Sequence, residues 1–161
     1  DHPFALATVH RQENTDDPQR LHGILDGLEQ VSEQVCPVVL PLHPRTRKAL
    51  AAAGWQPRAL RLVEPLSYAE MLSLETRARM ILTDSGGVQK EAYFSNCPCI
   101  TLRDETEWVE TLTNQCNVLV GADASRIVAA AHAAGRVGPW QPLYGTGQAA
   151  TRSIDAILSA S

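Results

Sequence analysis

Six short apolar runs, each separated from the next by a stretch with helical periodicity, constrain this chain more than any other feature. The runs are Phe4–Val9, Val38–Leu42, Leu60–Val63, Met80–Leu82, Cys99–Leu102 and Val118–Val120. Each is apolar at successive positions, so each reads as a strand covered on both faces. Between the first two, Thr15-Asp16-Asp17-Pro18 supplies an N-cap with Pro at the first helical position. Leu21, Ile24, Leu25, Leu28 and Val31 then follow at helical spacing. Pro44 opens a second helix that Gly54 stops, and Ser67 caps a third carrying Met71, Leu72 and Leu74. Helices are further expected from about Gly87 to Phe94, over Trp108–Leu112, and from Asp123 or Ser125 to Ala134. Strands alternating with helices predict an α/β fold, a Rossmann-like doubly wound parallel sheet of six or seven strands.

The tail is different in kind. Gly135–Gln148 holds Gly138-Pro139, Pro142, Gly145 and Gly147, a loop or linker composition. A last helix with Ile154, Ile157 and Leu158 on one face follows it. The chain therefore divides into a sheet domain over 1–134 and a linker with terminal helix over 135–161. The helix is left seeking a surface, for which a second domain is one candidate. Without a starting Met, the chain reads as part of something longer.

Composition narrows the function classes. At 161 residues one domain with a real core is expected. A net charge of −4 with no basic stripe argues against nucleic acid. No apolar run approaches the ~18 residues of a membrane span, and the first residues lack a signal-peptide core. Cys36, Cys97, Cys99 and Cys116 show neither redox nor zinc spacing, so they read as small apolar residues of a reduced, cytoplasmic protein.

In a doubly wound sheet, ligands bind beyond the carboxyl ends of the strands. The residues just after the strands here are His10-Arg11-Gln12-Glu13-Asn14, His43-Pro44-Arg45, Glu64-Pro65, Asp84-Ser85-Gly86-Gly87 and Arg103-Asp104-Glu105. Five polar, ionisable loops converging on one edge point to a ligand site. The strongest is Thr83-Asp84-Ser85-Gly86-Gly87-Val88-Gln89-Lys90-Glu91, which leaves a strand and opens a helix. Two glycines let backbone N–H groups approach an anion at a helix N-terminus, Ser85 adds a hydroxyl, and Glu91 stands one turn on, where a carboxylate suits a ribose. A plain strand-to-helix turn, with Ser85 as N-cap and Glu91 solvated, accounts for the same residues equally well. His10 and His43 end strands, but no ligand spacing marks them as a metal pair. Arg103, Asp104, Glu105 and Glu107 also fit a solvated charged turn.

Taken in order, these motifs, together with Pro41-Leu42-His43-Pro44-Arg45, Arg103-Asp104-Glu105-Thr106-Glu107 and Tyr144-Gly145-Thr146-Gly147-Gln148-Ala149, resemble the C-terminal half of the non-hydrolysing UDP-N-acetylglucosamine 2-epimerase family. The resemblance spans essentially the whole chain. It implies one half of a two-domain, glycosyltransferase-B-like fold with the active site between the domains. It also implies UDP and a UDP-N-acetylhexosamine as ligands, no nicotinamide or metal cofactor, and a parent that dimerises through its N-terminal domain. By the same resemblance Ser85, Gly86 and Gly87 hold the diphosphate and Glu91 the ribose. Leu66 and Met71 lie near the uracil, and Arg103 completes the substrate-binding set. His10 sits by the departing diphosphate, while Arg11 and His43 face a possible regulatory site. The family's commonest pattern has Arg after the Thr-Glu pair; here Trp108 stands there, a form found in relatives acting on diacetamido uronic-acid UDP-sugars.

Overall fold

The structure, a computed structural model, describes residues 3–135 and 141–159. The Gly138-Pro139 pair noted above lies outside them. Six strands form one parallel sheet: β1 (Ala5–Thr8), β2 (Val38–Pro41), β3 (Arg61–Val63), β4 (Met80–Thr83), β5 (Cys99–Thr101) and β6 (Asn117–Leu119). Their order is β3-β2-β1-β4-β5-β6, the Rossmann arrangement, with every pairing parallel. The order of strand addition reverses between β1 and β4, which run parallel with Thr8 in register with Thr83. The expected strands are all present, with ends shifted by a residue or so. Val9, Leu42 and Leu102 are buried but fall past the last ladder pairs.

Side-chain alternation sorts the core into two layers. Ala5, Ala7, Met80 and Leu82 face one way, onto Leu21, Ile24, Leu25 and Leu28 of α2 (Pro18–Gln34) and Ile127 of α6 (Ala124–Ala133). Leu50 of α3 (Pro44–Ala52) joins this layer. Leu6, Ile81 and Cys99 face the other way, towards α4 (Tyr68–Glu75) and α5 (Gly86–Phe94). Asp17 caps α2 by accepting from the N–H groups of Gln19 and Arg20, with Pro18 at the first position. Ser67 and Glu70 form a capping box on α4. One contact was not foreseen: α2 lies so close to the turn that leads into α6 that a Cβ on Gly23 would stand 2.2 Å from the carbonyl oxygen of Ala122, and one on Gly27 would stand 2.8 Å from Cδ1 of Ile127 in α6.

Three elements depart from expectation. The residues after β1 wind into a one-turn helix, α1 (Gln12–Thr15), too short to show any apolar period. The helix expected over Trp108–Leu112 is a 3₁₀ segment from Val109 to Gln115. The segment 141–148 is docked rather than loose: the Tyr93 hydroxyl donates to the Gln141 carbonyl, and the Tyr144 ring packs among Tyr93, Phe94 and Trp108. Helix α7 (Ala149–Ser159) follows and buries none of its described residues, with Ile154 57% and Leu158 70% exposed. No helix among the described residues is long and apolar enough to cross a membrane.

Candidate functional site

At the carboxyl edge of the sheet, the loops leaving β1 and β4 are tied together by one carboxylate. Asp84 is fully buried and accepts from the backbone N–H of His10 (3.1 and 3.0 Å), the N–H of Arg11 (2.9 Å) and the Asn14 side-chain amide (3.1 Å). Its Oδ1 also lies 3.5 Å from Nδ1 of His10. Asn14, itself fully buried, donates to the Leu102 carbonyl and accepts from Nε of Arg20. α1 thus has a purpose: it turns Asn14 back under the loop. Asp84 and Asn14 were legible only as members of motifs, because a carboxylate after a strand looks the same whether it meets ligand or backbone.

Above this anchor lies a cavity of about 200 Å³, lined by His10, His43, Pro65, Leu66, Met71 and Val88 among others. The sheet topology therefore brings together four of the predicted site residues. The imidazoles of His10 and His43 stand 5.5 Å apart, tilted by 37°. Burial pushes the His10 imidazole below its ordinary pKa; the Asp84 carboxylate pulls against that, while His43 and Arg11 add to it. His43 caps α3, its Nδ1 accepting from the Arg45 N–H at 3.2 Å.

Beside the cavity, α5 begins. Ser85 caps it, with its hydroxyl oxygen accepting from the Val88 N–H at 3.4 Å. Gly86 is confined: a Cβ there would stand 3.1 Å from Nε1 of Trp108 and 3.6 Å from both Arg11 Nη2 and Glu107 Oε2. Nε1 of Trp108 is buried and has no acceptor among the described residues. Lys90 holds its ammonium 4.0 Å above the same indole ring. A helix N-terminus and an unpaired indole N–H thus face one spot and favour an anion, while the Arg11 guanidinium beside them is shared with the Glu107 carboxylate, 3.8 Å away. Glu91 lies half-buried one turn along. Across from it, burial and then the charge of Glu91 raise the Glu75 carboxyl to about 7.

Arg103 reaches the same edge by another route. It is buried, with Nε donating to Glu13 (2.9 Å) and Nη1 to both oxygens of Glu107 (3.1 and 2.9 Å). Arg103 is not among the residues lining the cavity; it braces the loops on either side, and its hydrogen bonds hold the Glu107 carboxyl below the usual range. A second brace was not anticipated. Gln89, fully buried, accepts from the Thr106 hydroxyl (2.6 Å) and the Asn117 amide (3.2 Å), fastening the 103–108 loop to α5. The four cysteines are free and buried, and burial lifts the thiols of Cys97 and Cys99 to about 12.

The family model described as UDP-N-acetylglucosamine 2-epimerase matches residues 1–158. A UDP-2,3-diacetamido-2,3-dideoxy-D-glucuronate 2-epimerase of Pseudomonas aeruginosa is 50% identical over 151 residues, 92% of this chain and 42% of that protein. A UDP-N-acetylglucosamine 2-epimerase of Methanocaldococcus jannaschii is 36% identical over 161 residues, 96% of this chain and 44% of that protein. The crystal structure of the Methanocaldococcus jannaschii enzyme in complex with UDP-GlcNAc and UDP superposes with a TM-score of 0.84, covering 100% of this chain and 46% of that one. The chain thus spans less than half the length of the relatives it matches. The same fold extends, at 12% identity and a TM-score of 0.56, to the E. coli heptosyltransferase WaaC.

Proposed function

The chain belongs to the UDP-N-acetylglucosamine 2-epimerase family, and from that premise we propose that it is the uridine-nucleotide-holding, C-terminal half of a UDP-sugar 2-epimerase. The observation that carries this reading is the cavity lined by His10, Leu66 and Met71 standing beside the N-terminus of α5. An apolar slot for a base next to an anion site suits a nucleoside diphosphate. Ser85 and the amides of Gly86 and Gly87, with the Trp108 indole N–H, take the diphosphate; Glu91 takes the ribose hydroxyls; Pro65, Leu66 and Met71 flank the uracil; Arg11 and His43 face the possible regulatory site. The parent converts UDP-GlcNAc to UDP-ManNAc. A base removes the C2 proton as UDP leaves C1, giving a glycal, and UDP returns to C1 as C2 is reprotonated on the opposite face. This half retains UDP throughout, and His10 supports the departing diphosphate. The acid–base carboxylates that work at C2 come from the other domain, and α7 packs against that domain.

A second reading has its own support. The relative that is 50% identical is a UDP-2,3-diacetamido-2,3-dideoxy-D-glucuronate 2-epimerase, and by the resemblance given above Trp108 after Thr106-Glu107 belongs with relatives of that kind. Assay of the two-domain parent with each UDP-sugar separates the two substrates.

Binding can be tested on the chain itself. UDP should shift the amide resonances of Gly86 and Gly87 with a Kd of about 0.1–1 mM, as expected for half a cleft, while GlcNAc alone should not. Silence of both amides at millimolar UDP would remove the nucleotide reading.

A further inference from the structure

The carboxylate of Asp84 is committed to the loop that carries His10. Three donors converge on it, and all three reach the same oxygen: His10 N–H, Arg11 N–H and the Asn14 amide each lie within 3.1 Å of Oδ2. The remaining oxygen, Oδ1, also faces the His10 N–H at 3.1 Å and stands 3.5 Å from Nδ1 of the His10 ring. Asp84 cannot turn away, because Asn14 is pinned in its turn by the Leu102 carbonyl and by Arg20, which is held in place by Asp104 at 2.8 Å. Backbone and ring of His10 are therefore referred to one fixed, fully buried group.

We propose that Asp84 is a positioning residue that keeps the proton of neutral His10 on Nδ1 and leaves Nε2, the opposite ring nitrogen, as the one available to the cavity. A ring nitrogen facing a carboxylate oxygen carries the proton, and the partner of one nitrogen thereby sets the state of the other. The inference rests on the reading of His10 given above. It deepens that reading, because a ring held this way takes up its second proton at Nε2 when a diphosphate arrives, with Asp84 balancing the new charge from behind. Burial opposes a positive imidazole most, Asp84 favours it, and two further groups, His43 and Arg11, oppose it.

The side-chain nitrogens of the ¹⁵N-histidine-labelled chain report the tautomer directly, and His10→Gln identifies the His10 signals among the five histidines. Without ligand at neutral pH, Nδ1 should appear protonated and Nε2 bare. Asp84→Asn tests the cause. Its amide oxygen can stay at the Oδ2 position and keep all three donors, which sets its NH₂ opposite Nδ1. That nitrogen must then accept, so the tautomer should reverse, with the proton on Nε2. Millimolar UDP should move Nε2 of the unmodified chain towards the protonated state. Nε2–H in the unmodified chain, or an unchanged tautomer in a folded Asp84→Asn chain, overturns the proposal. Should that variant fail to fold, the tautomer of the unmodified chain decides alone. If Nδ1–H is found and reverses, yet Gly86 and Gly87 ignore UDP, the positioning role stands and the nucleotide reading fails.

Discussion

Glu91 is the residue whose two readings differ most in consequence. A half-buried glutamate that only faces solvent contributes within roughly ±0.5 kcal/mol of stability. One that accepts from a ribose hydroxyl contributes about 1.5–3 kcal/mol of binding. Glu91→Ala should therefore weaken UDP binding roughly tenfold or more without lowering the melting temperature, since it also relieves the repulsion on Glu75; titration calorimetry beside a thermal melt checks both. Equal UDP affinity in the variant returns Glu91 to a surface role. Its neighbour Glu75 makes a separate prediction. The Glu75 carboxyl is buried, one of its oxygens has no partner among the described residues, and its pKa is about 7 in the fold against an ordinary 4.5. The folded state thus binds this proton more tightly than the unfolded chain. The stabilisation is complete below about pH 4.5 and is lost as pH rises through 7, a swing on the order of 3 kcal/mol. Glu75→Gln keeps the shape and removes the titration. Melting temperatures of the variant and the unmodified chain should lie close at pH 4.5 and separate at pH 8, with the variant higher; a gap independent of pH would count against it.

Among the elements, α2 shows where propensity and packing oppose each other. Ala is preferred to Gly in a helix interior by about 1 kcal/mol, so Gly23→Ala would stabilise an isolated α2. In the fold the new Cβ would meet the Ala122 carbonyl at 2.2 Å, and backbone must move. Overpacking of this kind costs typically 1–3 kcal/mol, so Gly23→Ala should lower the denaturant midpoint. A higher midpoint would mean that the turn at Ala122 can retreat from α2. The same contrast between local preference and distant contact separates what the sequence makes legible from what it hides. The strands were legible because Leu6, Ile81 and Ile100 belong to runs apolar on both faces, and α2 because its period and its Asp17-Pro18 start agree. α1 was not, because four residues carry no period and its long-range ties, Asn14 to Asp84 and Glu13 to Arg103, reach seventy and ninety positions away. Arg103 was placed on the right edge by its position after β5. Of its two carboxylate partners Glu107 is only four residues on, but Glu13 lies ninety residues earlier and could not be foreseen.

For the molecule as a whole, the governing fact is that the chain spans 42–46% of its relatives' length. On the reading proposed here, the groups that move the proton at C2 lie in the other part. General acid–base groups contribute typically 10²–10⁴-fold each, so the purified chain should show no interconversion of UDP-GlcNAc and UDP-ManNAc. Turnover free of host enzyme would contradict this. In the two-domain parent, His10→Ala should lower kcat far more than it raises KM, because charge on departing UDP develops only in the transition state. α7 fits the same picture. Ile154 and Leu158 are mostly exposed, so Ile154→Asp with Leu158→Asp should change the stability of this chain by roughly 0.5 kcal/mol or less, yet uncouple the halves of the parent.

The position of β1 bears on how such a sheet is made. The first of its strands to leave the ribosome is an inner one, flanked by β2 on one side and β4 on the other. Its partner β2 arrives about thirty residues later, after α2, so a first β-α-β unit can close early. The other edge of β1 has no partner until Met80–Thr83 has been synthesised. At some 5–20 residues per second, that leaves unpaired backbone open for several seconds. Throughout that interval the loop of His10 and Arg11 also lacks Asp84, its anchor. The nascent sheet thus grows outward from its oldest strand, and the site takes shape only when residue 84 arrives.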